Sequence, residues 1–241
     1  MIFSDFCQYL QKLEETSSRL EMTSQLATLF GKLQTDEICP VCYLMQGRLV
    51  PIYKSLEFQM SEKLLIKALG RVLAQTQSSE ISTAVNLFDQ QDESLFQEQV
   101  RQTYHKVGDL GLAAEQLFES CLLCTNITIL EVYAQLEKIA KDGGEGSQDR
   151  KVEGLAELLL QVDAVSAKFV ARIVLGKVRL GFSTMTMIDA LSWTVSGDKS
   201  ESIKIEEAFQ KKADIGLLAA GYLGAGTRQE RERFLQSYQP V

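Results

Sequence analysis

Between Gly143 and Gly181 the chain reads GGEGSQDRKVEGLAELLLQVDAVSAKFVARIVLGKVRLG, and the residue types collected there are those that hold an anion. Gly143, Gly144 and Gly146 permit backbone conformations closed to other residues, Ser147 is placed to cap a helix starting near Gln148, and Lys151 falls in its first turn. Amides at such a helix start attract a phosphate, and the lysine adds a charge. Further on, no Asp or Glu occurs from Ala164 to Ile188, while Lys168, Arg172, Lys177 and Arg179 make this stretch cationic in a chain of net charge -7. Lys168, Arg172 and Gly176 are spaced i, i+4 and i+8 and line one helical stripe, beside an apolar stripe of Val165, Phe169 and Ile173. Gly176 would let a ligand approach the backbone. Lys177 and Arg179 fall where the helix ends, with Gly181 as its expected stop. Two structural readings compete with anion binding: cations near a helix C-terminus suit its dipole, and a charged face can be merely solvated. The loop matches neither GxxxxGKS/T nor GxGxxG.

The elements that must position these residues are helices. Only three prolines occur, and the apolar spacing runs in threes and fours over most of the chain. Phe3, Phe6, Leu10 and Leu13 form the first stripe. It passes Thr16-Ser17-Ser18, a cap or kink, into Leu20, Leu26, Leu29 and Phe30 before Gly31 stops it. A second block is expected from Cys39 to Arg48, and a third, SEKLLIKALGRVLAQT, from an N-cap at Ser61. ISTAVNLFDQ, GLAAEQLFESCLL, ITILEVYAQLEKIAK and LAELLLQV are each helical in period. Polar or glycine breaks at Gln77 to Glu80, Gly108 to Gly111 and Gly143 to Ser147 separate them. TMIDALSW, the polar loop SGDKSES, IKIEEAFQKKADIGLLAAGYL and a charged run TRQERERFLQSYQPV follow. The spacing predicts an all-α chain of short antiparallel helices, a single domain over 1–241 that could carry two lobes meeting near 141–149.

With 241 residues, 45% hydrophobic and 24% charged, the chain is long enough to bury roughly 70 to 75% of its unfolded surface. The acidic balance excludes a protein that coats nucleic acid with its whole surface and leaves room for one basic face. MIFSDFCQYLQKLEE lacks a basic start and an unbroken apolar run, no stretch of 18 apolar residues could span a membrane, and five cysteines read as reduced thiols, so a cytoplasmic setting is expected. Cys39-Pro-Val-Cys42 and Cys121-Leu-Leu-Cys124 have redox or zinc spacing, but both pairs sit among apolar residues and read as buried thiols. The sole histidine, His105, has no evident acid or nucleophile partner and reads as a surface or packing residue. Trp193 reads as core.

GEGSQDRKVEGLAELL followed by SAKFVARIVLGKVRLGFSTMTMIDAL resembles the N-terminal DNA-binding domain of ATP-dependent DNA ligases of the archaeal and eukaryotic type. Further segments resemble that family in the same order: FCQYLQKLEETSSRLEMTSQLATLF, YLMQGRLVPIYKSLEFQMSEKLLIKAL, KVGDLGLAAE, ITILEVYAQLEKIA and ADIGLLA. The resemblance implies an all-helical, monomeric domain that grips nicked duplex DNA across the minor groove and holds phosphates without reading sequence. By this resemblance Gly144, Gly146, Ser147, Gln148 and Lys151 in the loop, and Arg172, Gly176, Lys177, Arg179 and Gly181 in the helix and turn, are expected DNA contacts, with Lys168 added by its spacing. Thr16, Ser17 and Arg19, and Gly108 with Gly111, match further family segments without an assigned role. Ligases of this family adenylate the lysine of a KxDG motif in a separate domain; this sequence has none, and Lys141-Asp142-Gly143 lacks the spacer. The chain alone is therefore expected to bind and not ligate, as an excised or truncated part, with ATP and Mg2+ belonging to the parent's catalytic domain. A sliding clamp is a candidate partner of that parent, which would work in the cytoplasm at the nucleoid, or in a nucleus. The alternative is a helical scaffold with a ligase-like fold whose acidic surface recruits a protein and which has no DNA function. A self-contained enzyme ranks last, since no nucleophile, base and orienting group assemble.

Overall fold

The computed structural model describes residues 1–78, 89–119 and 126–239. Among them are thirteen α-helices and no strand, only an isolated antiparallel bridge between Ile2 and Thr128. The helix expected over ISTAVNLFDQ falls largely outside the described residues, as does the Cys121–Cys124 pair. No described helix is long and apolar enough to cross a membrane.

The described chain falls into two compact units. One holds Met1, Gln8–Ser55 and Arg179–Val241, the other Ile2–Cys7 and Leu56–Val178. The 141–149 loop lies inside the second unit, so it is not the lobe boundary its glycines suggested. Glycine marks a local reversal of the chain, whereas a unit boundary depends on which helices share a core.

The first unit contains most of α1 (Phe3–Glu15), then α2 (Arg19–Phe30), α3 (Thr35–Met45), α10 (Thr184–Ser196), α11 (Ser202–Lys211), α12 (Ile215–Gly224) and α13 (Arg228–Ser237). Ser18 caps α2 by accepting the Glu21 amide at 3.4 Å. α3 starts four residues before the expected Cys39 and takes Pro40 into its interior. The Glu37 carboxylate, accepting the Gln34 amide at 2.8 Å, anchors that earlier start. IKIEEAFQKKADIGLLAAGYL is two helices, because Asp214 caps a new one by accepting the Leu217 amide at 3.0 Å. α2 packs on α10, and α3 on α12. Gly216 permits the latter approach, since a Cβ there would stand 2.6 Å from the Tyr43 ring and 2.8 Å from the Cys39 sulfur. Cys39 and Cys42, both on α3, are free thiols whose pKa burial pushes up. Trp193 on α10 is half-buried.

Asp214 is also the centre of a tyrosine cluster. Its carboxylate accepts the Tyr43 hydroxyl at 2.6 Å and the Tyr53 hydroxyl at 2.7 Å, and its carbonyl accepts Tyr238 at 2.8 Å. Desolvation, then the Asp214 carboxylate, push the Tyr53 phenol up to about 12, and the Tyr43 and Tyr238 phenols are raised further. An unfolded tyrosine ionises near about 10, so above that pH the unfolded chain loses protons that the folded one retains. The cluster's contribution is thus complete below about pH 10 and declines as pH rises through the folded values. Urea midpoints measured across the alkaline range should stay flat and then fall above about pH 10. A midpoint still level where the phenolate absorbance of unfolded chains is complete would contradict this linkage.

The second unit contains the first turn of α1 and α4 (Glu62–Ser78), α5 (Asp89–Val107), α6 (Leu110–Phe118), α7 (Ile129–Lys141), α8 (Ser147–Leu159) and α9 (Ala164–Val174). Ser61 caps α4 as expected, accepting the Leu64 amide at 3.3 Å, and Thr128 with Glu131 form a capping box on α7. α4 packs on α5 and α8, α6 on α9 and on α5, and α7 on α8. The core lies along these faces, with Leu65, Leu69, Val72, Leu136, Leu155, Leu158, Phe169 and Ile173 all fully buried.

Candidate nucleic-acid interface

The loop between α7 and α8 has a defined shape. Gly144 and Gly146 both adopt left-handed backbone, φ 80 and 73°, which glycine reaches without penalty. Gly146, not Ser147, is the N-cap of α8, and no side chain caps the helix; the Ser147 amide instead donates to the Gly144 carbonyl at 3.2 Å. Arg150, one turn into α8, closes the loop. Its Nη2 and Nε bind the Asp142 carboxylate at 2.7 and 3.0 Å, and its Nη1 and Nη2 donate to the carbonyls of Glu145 and Gly143 at 2.9 and 3.1 Å. The guanidinium holds the Asp142 carboxyl below the ordinary aspartate range. Gly143, Gly144, Gly146 and Gln148 are exposed, and Ser147 is half-buried. A rigid glycine turn at an open helix start can accept a phosphate with little loss of freedom.

The basic helix behaves differently from expectation. Lys168 and Arg172 are both only 3% exposed and point into the unit. The Lys168 ammonium lies 3.0 Å from Glu115 on α6, and the Arg172 Nε lies 3.1 Å from Asp109, which also caps α6 through the Leu112 amide at 2.9 Å. Both cations lie against the ring of buried Phe169, at 5.0 and 5.8 Å. Gly111 makes room for this packing, since a Cβ there would meet the Lys168 carbonyl and the Arg172 stem at 2.8 Å. The segment GDLG thereby gains a role: Gly108, at φ 73°, turns the chain out of α5, Asp109 caps α6 and pairs with Arg172, and Gly111 lets α6 close on α9. Lys151 is likewise 3% exposed, its ammonium donating to the Phe58 carbonyl at 2.9 Å. The outward cationic stripe expected of Lys168 and Arg172, and the phosphate-facing Lys151, are corrected accordingly. A cation with a buried partner costs less desolvated than an unpaired one, so the fold takes these charges in together with their acceptors.

α9 ends at Val174, earlier than the expected stop at Gly181. Gly176, at φ 66°, ends it in a Schellman turn: its amide bonds the Ile173 carbonyl at 2.9 Å, and the Lys177 amide bonds that of Arg172 at 2.8 Å. Gly176 and Lys177 are exposed, and the Lys177 ammonium lies 2.9 Å from Glu62 at the start of α4.

Arg179 and Gly181 belong to the other unit. Arg179 holds a left-handed φ of 57°, an unfavourable state for a residue with a Cβ, and is exposed. Gly181, φ 73°, packs by the side chain of Met22, which lies one turn along α2 from Arg19.

Two features escaped the sequence reading. Arg150 is one, legible in retrospect as a basic residue shortly after a glycine loop that begins with an acid. The other is Lys63, Lys67 and Arg71 on α4, whose i, i+4, i+8 spacing is the pattern credited to α9. Here it does mark an outer row: Lys63 is exposed and the other two half-buried. His105 is exposed and stacks on Tyr104, with ring centroids 6.0 Å apart.

Residues 2–192 match the family profile described as DNA ligase N terminus. The chain is 34% identical over its whole length to a probable DNA ligase of Dictyoglomus turgidum, of which it covers 38%. It is 34% identical to DNA ligase 2 of Thermofilum pendens, with 90% of this chain and 35% of that protein covered. With a DNA ligase of Saccharolobus solfataricus it shares 36% identity, over 91% of this chain and 35% of that protein. The chain thus spans little more than a third of the length of these relatives.

Proposed function

The chain belongs to the family of DNA ligase N-terminal domains, and from that premise we propose that it binds nicked duplex DNA without reading sequence, across the minor groove and through backbone phosphates. The observation that carries this reading is the loop held by Arg150, with its two left-handed glycines at the uncapped start of α8. Phosphate contacts of this kind position a protein on a duplex and carry no base information. The contacting set in one unit is Gly144, Gly146, Ser147, Gln148, Gly176 and Lys177, and in the other Arg179 and Gly181. Lys151, Lys168 and Arg172 are buried and act through the packing of the second unit. No lysine stands in a KxDG motif, so ATP and Mg2+ are assigned to a separate domain of a longer, nick-sealing parent. A monomeric grip, a sliding clamp as the parent's partner, and a place at the nucleoid or in a nucleus complete the proposal.

The test is fluorescence anisotropy of a nicked duplex at several salt concentrations. Log affinity should fall linearly with log salt, by roughly 0.9 for each phosphate neutralised. Lys177→Glu should weaken binding alike on unrelated sequences and reduce the salt slope by about 1. A Cβ at Gly144 meets nothing within 4 Å, so Gly144→Ala costs folding about 1 to 2 kcal/mol of backbone strain, and a loss of affinity in the folded variant reports the DNA contact. Full affinity in the combined variant would remove this surface from the proposal. No binding even at low salt would favour the protein-recruiting scaffold.

A further inference from the structure

Three outward cations of the second unit are each matched by a carboxylate. Lys67 on α4 reaches Asp149 in the first turn of α8 at 2.7 Å, Lys177 reaches Glu62 at the start of α4 at 2.9 Å, and Arg150 reaches Asp142 at 2.7 Å. The Arg150 pair is internal to the loop and shapes it, as described above. The other two are different, because they join distant elements at the water-facing side of the unit. Asp149 is 74% exposed, while Glu62 and Lys177 are 43 and 54% exposed.

Helix dipoles favour an acid at both positions, since each lies in a first turn. The dipole does not explain why each acid also meets a lysine 82 or 115 residues away. Nor does stability, because exposed pairs contribute little. Asp149 sits two residues beyond Ser147, in the first turn of the helix that the glycine loop opens, and its carboxylate holds the Lys67 ammonium there. The neighbouring lysines hold both carboxyls below their ordinary range, so both are ionised at neutral pH.

We propose that Asp149 is a resident counter-ion which a DNA phosphate displaces from Lys67, with Glu62 doing the same for Lys177. This rests on the DNA-binding reading given above. Binding is then an exchange of partners: the lysine gives up a carboxylate and gains a phosphodiester, and the released carboxylate returns to water. The exchange lowers the net gain from each cation and limits how tightly this surface holds a duplex. It also makes Lys67, which belongs to the outer row on α4, part of the interface.

A double-mutant cycle on nicked duplex DNA, read by anisotropy, tests the coupling. Asp149→Asn keeps the side-chain shape and should raise affinity about two- to five-fold, the range of an exposed ion pair. In a Lys67→Met background the same substitution should give a clearly smaller gain, because only Arg71 is then left near Asp149 to be released. Glu145→Gln is the control for simple charge removal. Glu145 lies on the same loop and its carboxylate has no ion-pair partner among the described residues. If Asp149→Asn leaves affinity unchanged while the wild type binds, or if its gain persists undiminished without Lys67 and equals that of Glu145→Gln, the counter-ion role is wrong and DNA binding stands. If neither the wild type nor Asp149→Asn binds DNA, the DNA-binding reading fails and takes this proposal with it.

Discussion

Arg172→Ala is expected to lower stability by about 3 to 5 kcal/mol, because it leaves the Asp109 carboxylate, 6% exposed, buried without its cation. That is a large part of the roughly 5 to 15 kcal/mol that holds a folded domain together. In a chain of this size it corresponds to about 6 to 20 °C in Tm. Circular dichroism melts measure it, and Lys177→Ala serves as the comparison. Lys177 also pairs with an acid, but its pair is exposed and should be worth less than about 1 kcal/mol. Combining Arg172→Met with Asp109→Asn should recover most of the loss. Asparagine keeps the α6 cap, and an apolar side chain against Phe169 replaces a charge that no longer needs a partner. If Arg172→Ala melts within about 2 °C of the wild type, the buried pair contributes no more than a surface one. One consequence bears on function. A charge reversal at Arg172 is expected to separate α6 from α9, so a loss of signal from that variant in a DNA-binding assay would not report contact.

The second large effect is expected at Asp214, which is 1% exposed and joins α12 to tyrosines far away in sequence. Asp214→Ala removes the α12 N-cap, worth about 1 kcal/mol. It also leaves the buried Tyr43 hydroxyl with only the Cys39 sulfur, a weak partner, at about 1 to 3 kcal/mol. Tyr53 is half in water and can find a new partner there. The total should be about 3 kcal/mol, with Asp214→Asn milder because it keeps the cap and one acceptor. Tyr53→Phe should be nearly silent. Urea midpoints rank the three variants, and a Tyr53→Phe loss as large as that of Asp214→Ala would show that the burial of Tyr43 is not what matters. Since the Tyr238 hydroxyl binds the Asp214 carbonyl, the same variants should loosen the segment after α13, readable by amide exchange.

Much of the local structure was legible because it depends on neighbours in sequence. Phe3, Phe6, Leu10 and Leu13 mark the buried face of α1, and Ser18, Ser61 and Gly31 end or begin helices where short-range bonding dictates. Errors of extent came from the same limitation. Gly181 looked like the end of α9 because it is the last glycine of a cationic run, yet Gly176 is the residue whose left-handed backbone closes the final turn.

The cationic stretch shows where sequence stops being sufficient. By itself the sequence determined that Lys168 and Arg172 share a helical stripe, that Gly144 and Gly146 flank a turn, and that the chain resembles a ligase DNA-binding domain over nearly its whole length. Helical period assigns residues to a common face, but it does not say what that face meets. Asp109 and Glu115 lie 63 and 53 residues before their partners, and only the packing of α6 on α9 brings them within reach. The tertiary structure therefore decided that this face is buried and paired. It placed the outward row on α4 instead, and gave the glycine loop its shape through Arg150. The physical reason is that an isolated cation prefers water, and only a carboxylate delivered by another element makes its burial tolerable.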